Sequence, residues 1–364
     1  MDADFLIIGG GIAGATAGYH LRTHGRVVVL EMESVAGYHS TGRSAALFSE
    51  YYGGPEVRAL TAASRAFLTD PPPGFAETPL LGPRGVLALA PAGAEELFEA
   101  ALAEATDAPV PAREIDPAEV TRHCPVVRPG WARRAMLKPG ATDIDVDALH
   151  QGFLRGIRAA GGELVRSAPV TALEHRAGRW HARTPVGTYT GRVVVDAAGA
   201  WADRVAALAG VRPVGLVPRR RTAFLVESPV DVTGWPMVLD VAETFYFKPE
   251  SGQLLVSPAD ATPVPPGDAR PDELDVALGV ERVNAATTLA VRHVKHAWAG
   301  LRTSVADDVP VIGAAPGVPG FCWVAGLGGY GVQPAPAVGR LAAALAVGDT
   351  PELDPAPFSP ARFG

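Results

Sequence analysis

The chain has 364 residues, 48% apolar and 20% charged, and its Gly 41 and Pro 34 mark a turn-rich folded protein rather than a low-complexity one. A net charge of -7 argues against a nucleic-acid or anionic-membrane surface as the main partner. Cys124 and Cys322 cannot build a disulfide framework, although one bridge stays open, and no apolar run reaches the roughly 18 residues needed to span a bilayer.

This length predicts two lobes, or one large domain carrying an insertion. Asp2 and Asp4 stand where a signal peptide would carry basic residues, so a cytoplasmic protein is expected. Phe5–Ile8 predicts a buried strand, Gly9–Gly14 a turn, Ala15–His24 a helix and Arg26–Leu30 a second strand. Gly9-Gly10-Gly11-Ile12-Ala13-Gly14 fits GxGxxG between strand and helix, the context in which the motif has physical meaning. Gly9 permits the bend, Gly11 lets backbone approach a pyrophosphate, and Gly14 lets helix and strand pack closely. Ile12 and Ala13 lie in the turn just ahead of the predicted helix, whose N-terminal dipole favours phosphate. Glu31, twenty residues after Gly11, ends the second strand, where a carboxylate accepts hydrogen bonds from ribose hydroxyls. These features predict an adenine dinucleotide and do not choose between FAD and NAD(P).

Val57, Leu60, Phe67 and Leu68 recur at helical spacing, and Pro71-Pro-Pro-Gly74 stops that helix. Gly85–Ala90 reads as a strand, Ala94–Thr106 as an amphipathic helix, and Asp116-Pro-Ala-Glu119 as a capping box opening a short helix; all belong to a second lobe. The chain then returns to the nucleotide lobe with a helix over Asp145–Ala160 and strands at Glu163–Val165, Thr188–Gly191 and Arg192–Asp196. Arg221–Glu227, Met237–Asp240, Thr244–Lys248 and Gln253–Ser257 predict an antiparallel meander flooring the substrate lobe. A Pro- and Asp-rich stretch from Asp260 to Asp272 leads to a helix ending near Ala290. Strands at Trp298–Thr303 and Phe321–Ala325 then precede Gly328–Gly331, whose N–H groups stand before a helix over Ala335–Val347.

Four segments carry a resemblance that extends over nearly the full length. They are Tyr38-His39-Ser40-Thr41-Gly42-Arg43-Ser44 followed by Ala45 and Ala46, Val194–Trp201, Trp298–Arg302 and Gly328–Gln333. The chain resembles the D-amino-acid oxidase-like family of flavoproteins, and most its D-arginine dehydrogenases. With the element order, this implies an α/β fold: a Rossmann-like, GR2-type FAD-binding domain at 1–78, 141–212 and 297–364, with an inserted α+β substrate domain, on a mostly antiparallel sheet, at 79–140 and 213–296. The resemblance implies noncovalent FAD, with no tether through His39. His39, Ser40, Thr41, Arg43, Ser44, Ala45 and Ala46 would run along the pyrophosphate and flavin. Val170, Ala198, Gly199 and Trp201 would add contacts, and Gly300, Gly328, Gly329, Tyr330, Gly331 and Gln333 would close over the isoalloxazine.

For a substrate carboxylate, planar fork donors are the matching groups, and Arg221 and Arg302 are the candidates. Both match carboxylate-binding arginines in the resemblance, although Arg219 and Arg220 leave the register of Arg221 open. Tyr52 and Tyr246 match substrate-contacting tyrosines, and the Gly329 carbonyl would receive the substrate amine. The implied reaction is oxidative deamination of a D-amino acid: hydride passes from Cα to flavin N5, and the imino acid hydrolyses to a 2-oxo acid and ammonia. Two positions depart from the D-arginine dehydrogenase pattern. Its guanidinium-binding glutamate falls at Val86 and its loop histidine at Leu47. A cationic side chain buried against Val86 would lose its partner, so apolar or smaller substrates are expected, unless Glu50 offers a replacement carboxylate. An amine oxidase of the glycine or sarcosine type releasing hydrogen peroxide, and a flavin-binding tailoring protein, are the alternatives, and the electron acceptor, quinone or oxygen, stays open. His20 with His24 and His293 with His296 have metal spacings without a completing ligand, and Cys124 beside His123 lies in a Pro-flanked loop. No metal and no covalent nucleophile are expected.

Overall fold

The computed structural model describes residues 2–106 and 108–364. The short apolar runs Phe5–Ile8, Val27–Leu30 and Phe321–Ala325 are buried along their whole length, as expected of strands covered on both faces. They lie in a six-stranded sheet ordered 311–314, 321–325, 193–196, 5–8, 27–30, 163–165. Every neighbour is parallel except Val311–Ala314, which runs antiparallel at one edge. Alternate residues of each strand divide between two cores. Phe5, Ile7, Val27 and Val29 pack with the helices Ile12–Leu21, Val146–Ala159 and Ala335–Val347. Leu6, Ile8, Val28 and Leu30 pack with Trp180, Tyr189 and the helix Ala202–Leu208.

That second face is covered by a three-stranded antiparallel meander, Ala172–Arg176, Arg179–Thr184 and Gly187–Gly191, of which the sequence predicted only the last strand. The first helix begins at Ile12 rather than Ala15, so half of the glycine motif lies inside its first turn.

The second sheet has eight strands, ordered 296–304, 217–226, 253–257, 246–250, 237–240, 86–90, 134–138, 113–115. Its pairs are antiparallel except Met237–Asp240 with Val86–Ala90. Phe224, Phe247 and Val256 on one face bury against Val283 and Ala286 of the helix Glu273–Ala286, which stops four residues short of the expected end near Ala290. The other face looks toward the nucleotide unit. Arg134–Lys138 is a strand that the sequence reading missed. The expected boundary at 297 falls inside the strand His296–Ser304, which pairs along its length with Val217–Val226. No helix among the described residues is long and apolar enough to cross a membrane.

Candidate active site

The first strand delivers its backbone into the glycine turn at Gly9, whose φ of +105° is open to glycine and strained for other residues. A Cβ on Gly9 would come within 2.5 Å of the Ala197 carbonyl oxygen, and one on Gly14 within 1.9 Å of the Gly9 carbonyl oxygen. Gly14 thus lies in close helix–strand contact and is not among the residues bordering the cavity described next. The Ile12 N–H donates to Thr41 Oγ1 at 3.0 Å, which brings the loop after the second strand over the helix N-terminus. Glu31 is 7% exposed, and its carboxylate accepts from the Gly10 N–H at 2.7 Å and the Glu33 N–H at 2.8 Å. Burial raises its pKa, and the Glu33 and Gly10 N–H groups pull it back.

A cavity of about 410 Å³ begins at Glu31, Val170 and Trp201 and passes Gly11, Ile12, Ala13 and Thr41. It then reaches Ser44, Ala45, Arg221, Tyr246, Arg302 and Gly329. Gly9, His39, Ser40, Arg43, Ala198, Gly199, Gly300, Gly328 and Gly331 also border it. The donor set suits FAD: bare glycine backbone and a helix N-terminus for phosphate, a carboxylate at one end, and no clash nearer than 3.3 Å were Gly11 to carry a Cβ. Loop contacts keep this wall in place. Ser40 Oγ donates to the Leu301 carbonyl at 2.7 Å, and His39 Nε2 meets Glu33 Oε1 at 2.9 Å while its ring lies 4.7 Å from that of Trp201. Arg43 borders the cavity, yet its guanidinium is spent on Asp268 Oδ1 at 2.5 Å and the carbonyls of Ala269 and Ala299.

Strand alternation resolves the three consecutive arginines. Arg219 lies opposite Arg302 and Arg221 opposite Gly300, so Arg221 and Arg302 are diagonal neighbours on one sheet face. Arg220 points to the other face and pairs with Asp275 at 2.7 Å, Asp260 at 3.4 Å and Asp272 at 3.5 Å. Arg219 Nη1 donates to Ser304 Oγ at 2.8 Å. Arg302 Nη1 donates to the Tyr52 hydroxyl at 3.0 Å, and Tyr52 packs edge-on to Tyr330 with centroids 4.9 Å apart. Arg221 Nε is buried with no hydrogen-bond partner. Burial, followed by the charge of Arg302, lowers the Arg221 pKa. Two guanidinium groups therefore border this end of the cavity, and Glu31 is the one carboxylate among the described residues bordering it anywhere. Such an arrangement has an unmet demand for an anion.

Several expected members lie elsewhere. Glu50 is not a free carboxylate: both its oxygens accept from Arg65, through Nε at 3.1 Å and Nη2, because helix Pro55–Thr69 returns Arg65 beneath the loop. Gln333 is 2% exposed and acts as a strut, accepting from the Ser49 N–H at 3.2 Å and donating to Thr61 Oγ1 at 3.0 Å. Ala46 and Leu47 enter a small sheet in which Leu47 pairs with Asp143, and Tyr330 stands behind Arg302, where burial pushes its phenol up to about 12. Val86 is 4% exposed, between Met237 and Lys138 in the second sheet. Burial pushes both cysteine thiols up to about 12, so neither is an activated thiolate. Among the described residues no group of three or more His, Cys, Asp or Glu is placed to hold a metal.

The sequence reading also passed over Asp143, which ties the loop to the second sheet through Lys248 Nζ at 3.0 Å and Arg84 Nε at 2.7 Å. Asp196 was read only as a strand end within the Val194–Trp201 segment. It is fully buried with Oδ2 unpartnered, and burial raises its pKa well above the usual carboxylate range. An Asp whose folded pKa is raised loses stability as pH climbs above its unfolded value, because only the unfolded chain can then ionise. Asp196→Asn, whose amide oxygen keeps the acceptor for the Ala198 N–H, is expected to match the parent near pH 4 and to exceed it increasingly toward pH 8. Melting temperatures across that range check this; a pH-independent difference would refute it.

Residues 4–345 match the family model described as DAO, FAD dependent oxidoreductase. Human mitochondrial dimethylglycine dehydrogenase is 26% identical over 393 residues, an alignment taking in 100% of this chain and 44% of that protein. The chain thus spans less than half the length of that relative. N-methyl-L-tryptophan oxidase of Salmonella agona (strain SL483) is 24% identical over 383 residues, with 100% of both chains covered. Among solved structures, glycine oxidase from Geobacillus kaustophilus superposes with a TM-score of 0.87 at 24% identity, over 98% of each chain. Iminodiacetate oxidase from Chelativorans sp. BNC1 superposes with a TM-score of 0.83 at 25% identity, again over 98% of each chain.

Proposed function

The chain belongs to the DAO family of FAD dependent oxidoreductases, and from that premise we propose that it oxidises the Cα–N bond of an amino acid held by its carboxylate on Arg221 and Arg302. The observation that carries this reading is the pair of guanidinium groups on one sheet face, with Arg221 Nε buried and unpartnered at the cavity wall. FAD, when bound, supplies the acceptor for the two electrons. Gly9, Gly11, Ile12, Ala13, Thr41 and Glu31 would hold its dinucleotide portion, and Tyr246 and the Gly329 backbone would border the substrate. With two cations and no carboxylate at this end, an ammonium is disfavoured and the substrate amine is held neutral.

Side-chain preference follows from the surroundings of Tyr246. Tyr246, Ala223 and Leu255 form an apolar cluster with Ala45, Leu225, Met237, Leu239 and Trp298. Val86 adds no charge, and Glu50 is taken by Arg65. An apolar or small side chain loses nothing here, whereas a guanidinium would be desolvated without a partner. The D configuration rests on the resemblance at Tyr52, Arg221, Tyr246, Arg302 and Gly329. A second reading, oxidation of an N-substituted amino acid, is favoured by the likeness to dimethylglycine dehydrogenase and N-methyl-L-tryptophan oxidase.

Anaerobic mixing with a panel of D-, L- and N-methyl amino acids, read as loss of the oxidised flavin absorbance, tests the proposal. Apolar D-amino acids are expected to exceed D-arginine in kcat/KM by at least about tenfold. An optimum at D-arginine would refute the side-chain assignment. Bleaching by N-methyl substrates alone would select the second reading. Parallel peroxide and dye-reduction assays identify the acceptor as oxygen or not.

A further inference from the structure

Within the glycine turn, Gly10 is held by side chains at both of its backbone polar groups. Its N–H donates to Glu31 Oε2 at 2.7 Å, and its carbonyl accepts from His150 Nε2 at 2.8 Å. His150 reaches it from the helix Val146–Ala159, far along the chain, and is 3% exposed. Its ring also fills the space beside Gly37, where a Cβ would come within 3.0 Å of His150 Cε1 and 3.3 Å of Nδ1. Gly37 in turn accepts from the Gly42 N–H at 2.7 Å, next to Thr41. One imidazole thus touches both the glycine turn and the loop that carries the Thr41 hydroxyl to the Ile12 N–H. A carbonyl acceptor requires the proton on Nε2, and burial, which lowers the ring's pKa, favours this neutral form. His150 does not border the cavity.

We infer, on the reading that the glycine turn holds the dinucleotide, that His150 is a positioning residue for the cofactor. By fixing the Gly10–Gly11 peptide plane and the Gly37 bend, it sets the orientation of the Gly11 N–H and of the loop that carries Thr41 to the Ile12 N–H before FAD arrives. The cofactor then meets a loop that is already ordered, and its affinity carries the benefit.

The test compares His150→Phe, which keeps an aromatic ring but removes the donor, with His150→Gln, which restores an Nε2 donor. FAD dissociation constants are measured by titrating apoprotein, with the apoprotein melting temperature followed separately. His150→Phe is expected to weaken FAD binding about fivefold to tenfold, the net worth of one buried hydrogen bond, with kcat unchanged at saturating FAD. His150→Gln is expected to recover most of that loss. Parental affinity in His150→Phe, or affinity in His150→Gln no better than in His150→Phe, overturns the inference. If His150→Phe does not fold, the Gln variant decides, with affinity near the parent in support and a tenfold loss against. Gly11→Val serves as the control for the underlying reading: if it too retains FAD at parental affinity, the glycine turn is not the dinucleotide site.

Discussion

Arg302→Met is expected to lower kcat/KM for the best amino-acid substrate by about a thousandfold. Methionine roughly keeps the length and apolar stem of the side chain and removes the fork. Truncating one partner of a desolvated, hydrogen-bonded charge pair costs about 2–5 kcal/mol, and each 1.36 kcal/mol is about tenfold. Arg302 takes the upper part of that range because its guanidinium also orders Tyr52, through the 3.0 Å hydrogen bond to the phenol. Arg221 remains as a second donor, so the loss stays finite. Flavin content must be unchanged in the variant, since Arg302 borders the same cavity as the residues proposed to hold the cofactor. Steady-state kinetics at matched flavin content check the prediction, and a loss below about tenfold would remove Arg302 from the carboxylate site.

Gly14→Ala is expected to yield a protein that purifies largely without FAD, with the dissociation constant raised about a hundredfold or more. The added carbon would lie 1.9 Å from the Gly9 carbonyl oxygen and 3.0 Å from Ile7 Cγ2. The first of these is backbone, which cannot rotate aside. The helix Ile12–Leu21 must therefore move off the first strand, and overpacking of this kind costs about 1–3 kcal/mol, sometimes more. Its N-terminal N–H groups move with it, so the cost appears as lost affinity and as a lower melting temperature. Flavin-to-protein ratio, FAD titration and thermal unfolding measure these together. A variant that retains FAD at parental affinity would show that close helix–strand contact is not what Gly14 provides.

How much was legible follows the distance over which each interaction acts. The strand, glycine turn, helix, second strand and Glu31 lie within one short stretch, and their motif encodes local backbone geometry, so sequence alone identified the dinucleotide unit. The helix over Ala335–Val347 was equally readable, as were the strands Met237–Asp240 and Gln253–Ser257. The meander strands Ala172–Arg176 and Arg179–Thr184 were missed because their outward faces are charged, and the few inward residues, such as Leu173, Trp180 and Ala182, make too short an alternation to stand out.

Residue types suited to the site were also visible in the sequence, but not their partners. Any of Arg219, Arg220 and Arg221 can bind a carboxylate; pairing with His296–Ser304 turns Arg221 to the cavity and Arg220 to three aspartates. Glu50 looked available until helix packing brought Arg65 to it, and Gln333 looked like a flavin contact until Ser49 and Thr61 closed around it. Chemistry carried by a contiguous turn is written in residue spacing, because neighbouring peptides set their own geometry. Which face a side chain takes, and whether its charge is already spent, depends on strands and helices that meet only after the chain has folded. The dinucleotide site therefore belongs to the first kind, and the proposed substrate pocket, with its apolar walls and two arginines without a carboxylate partner, to the second.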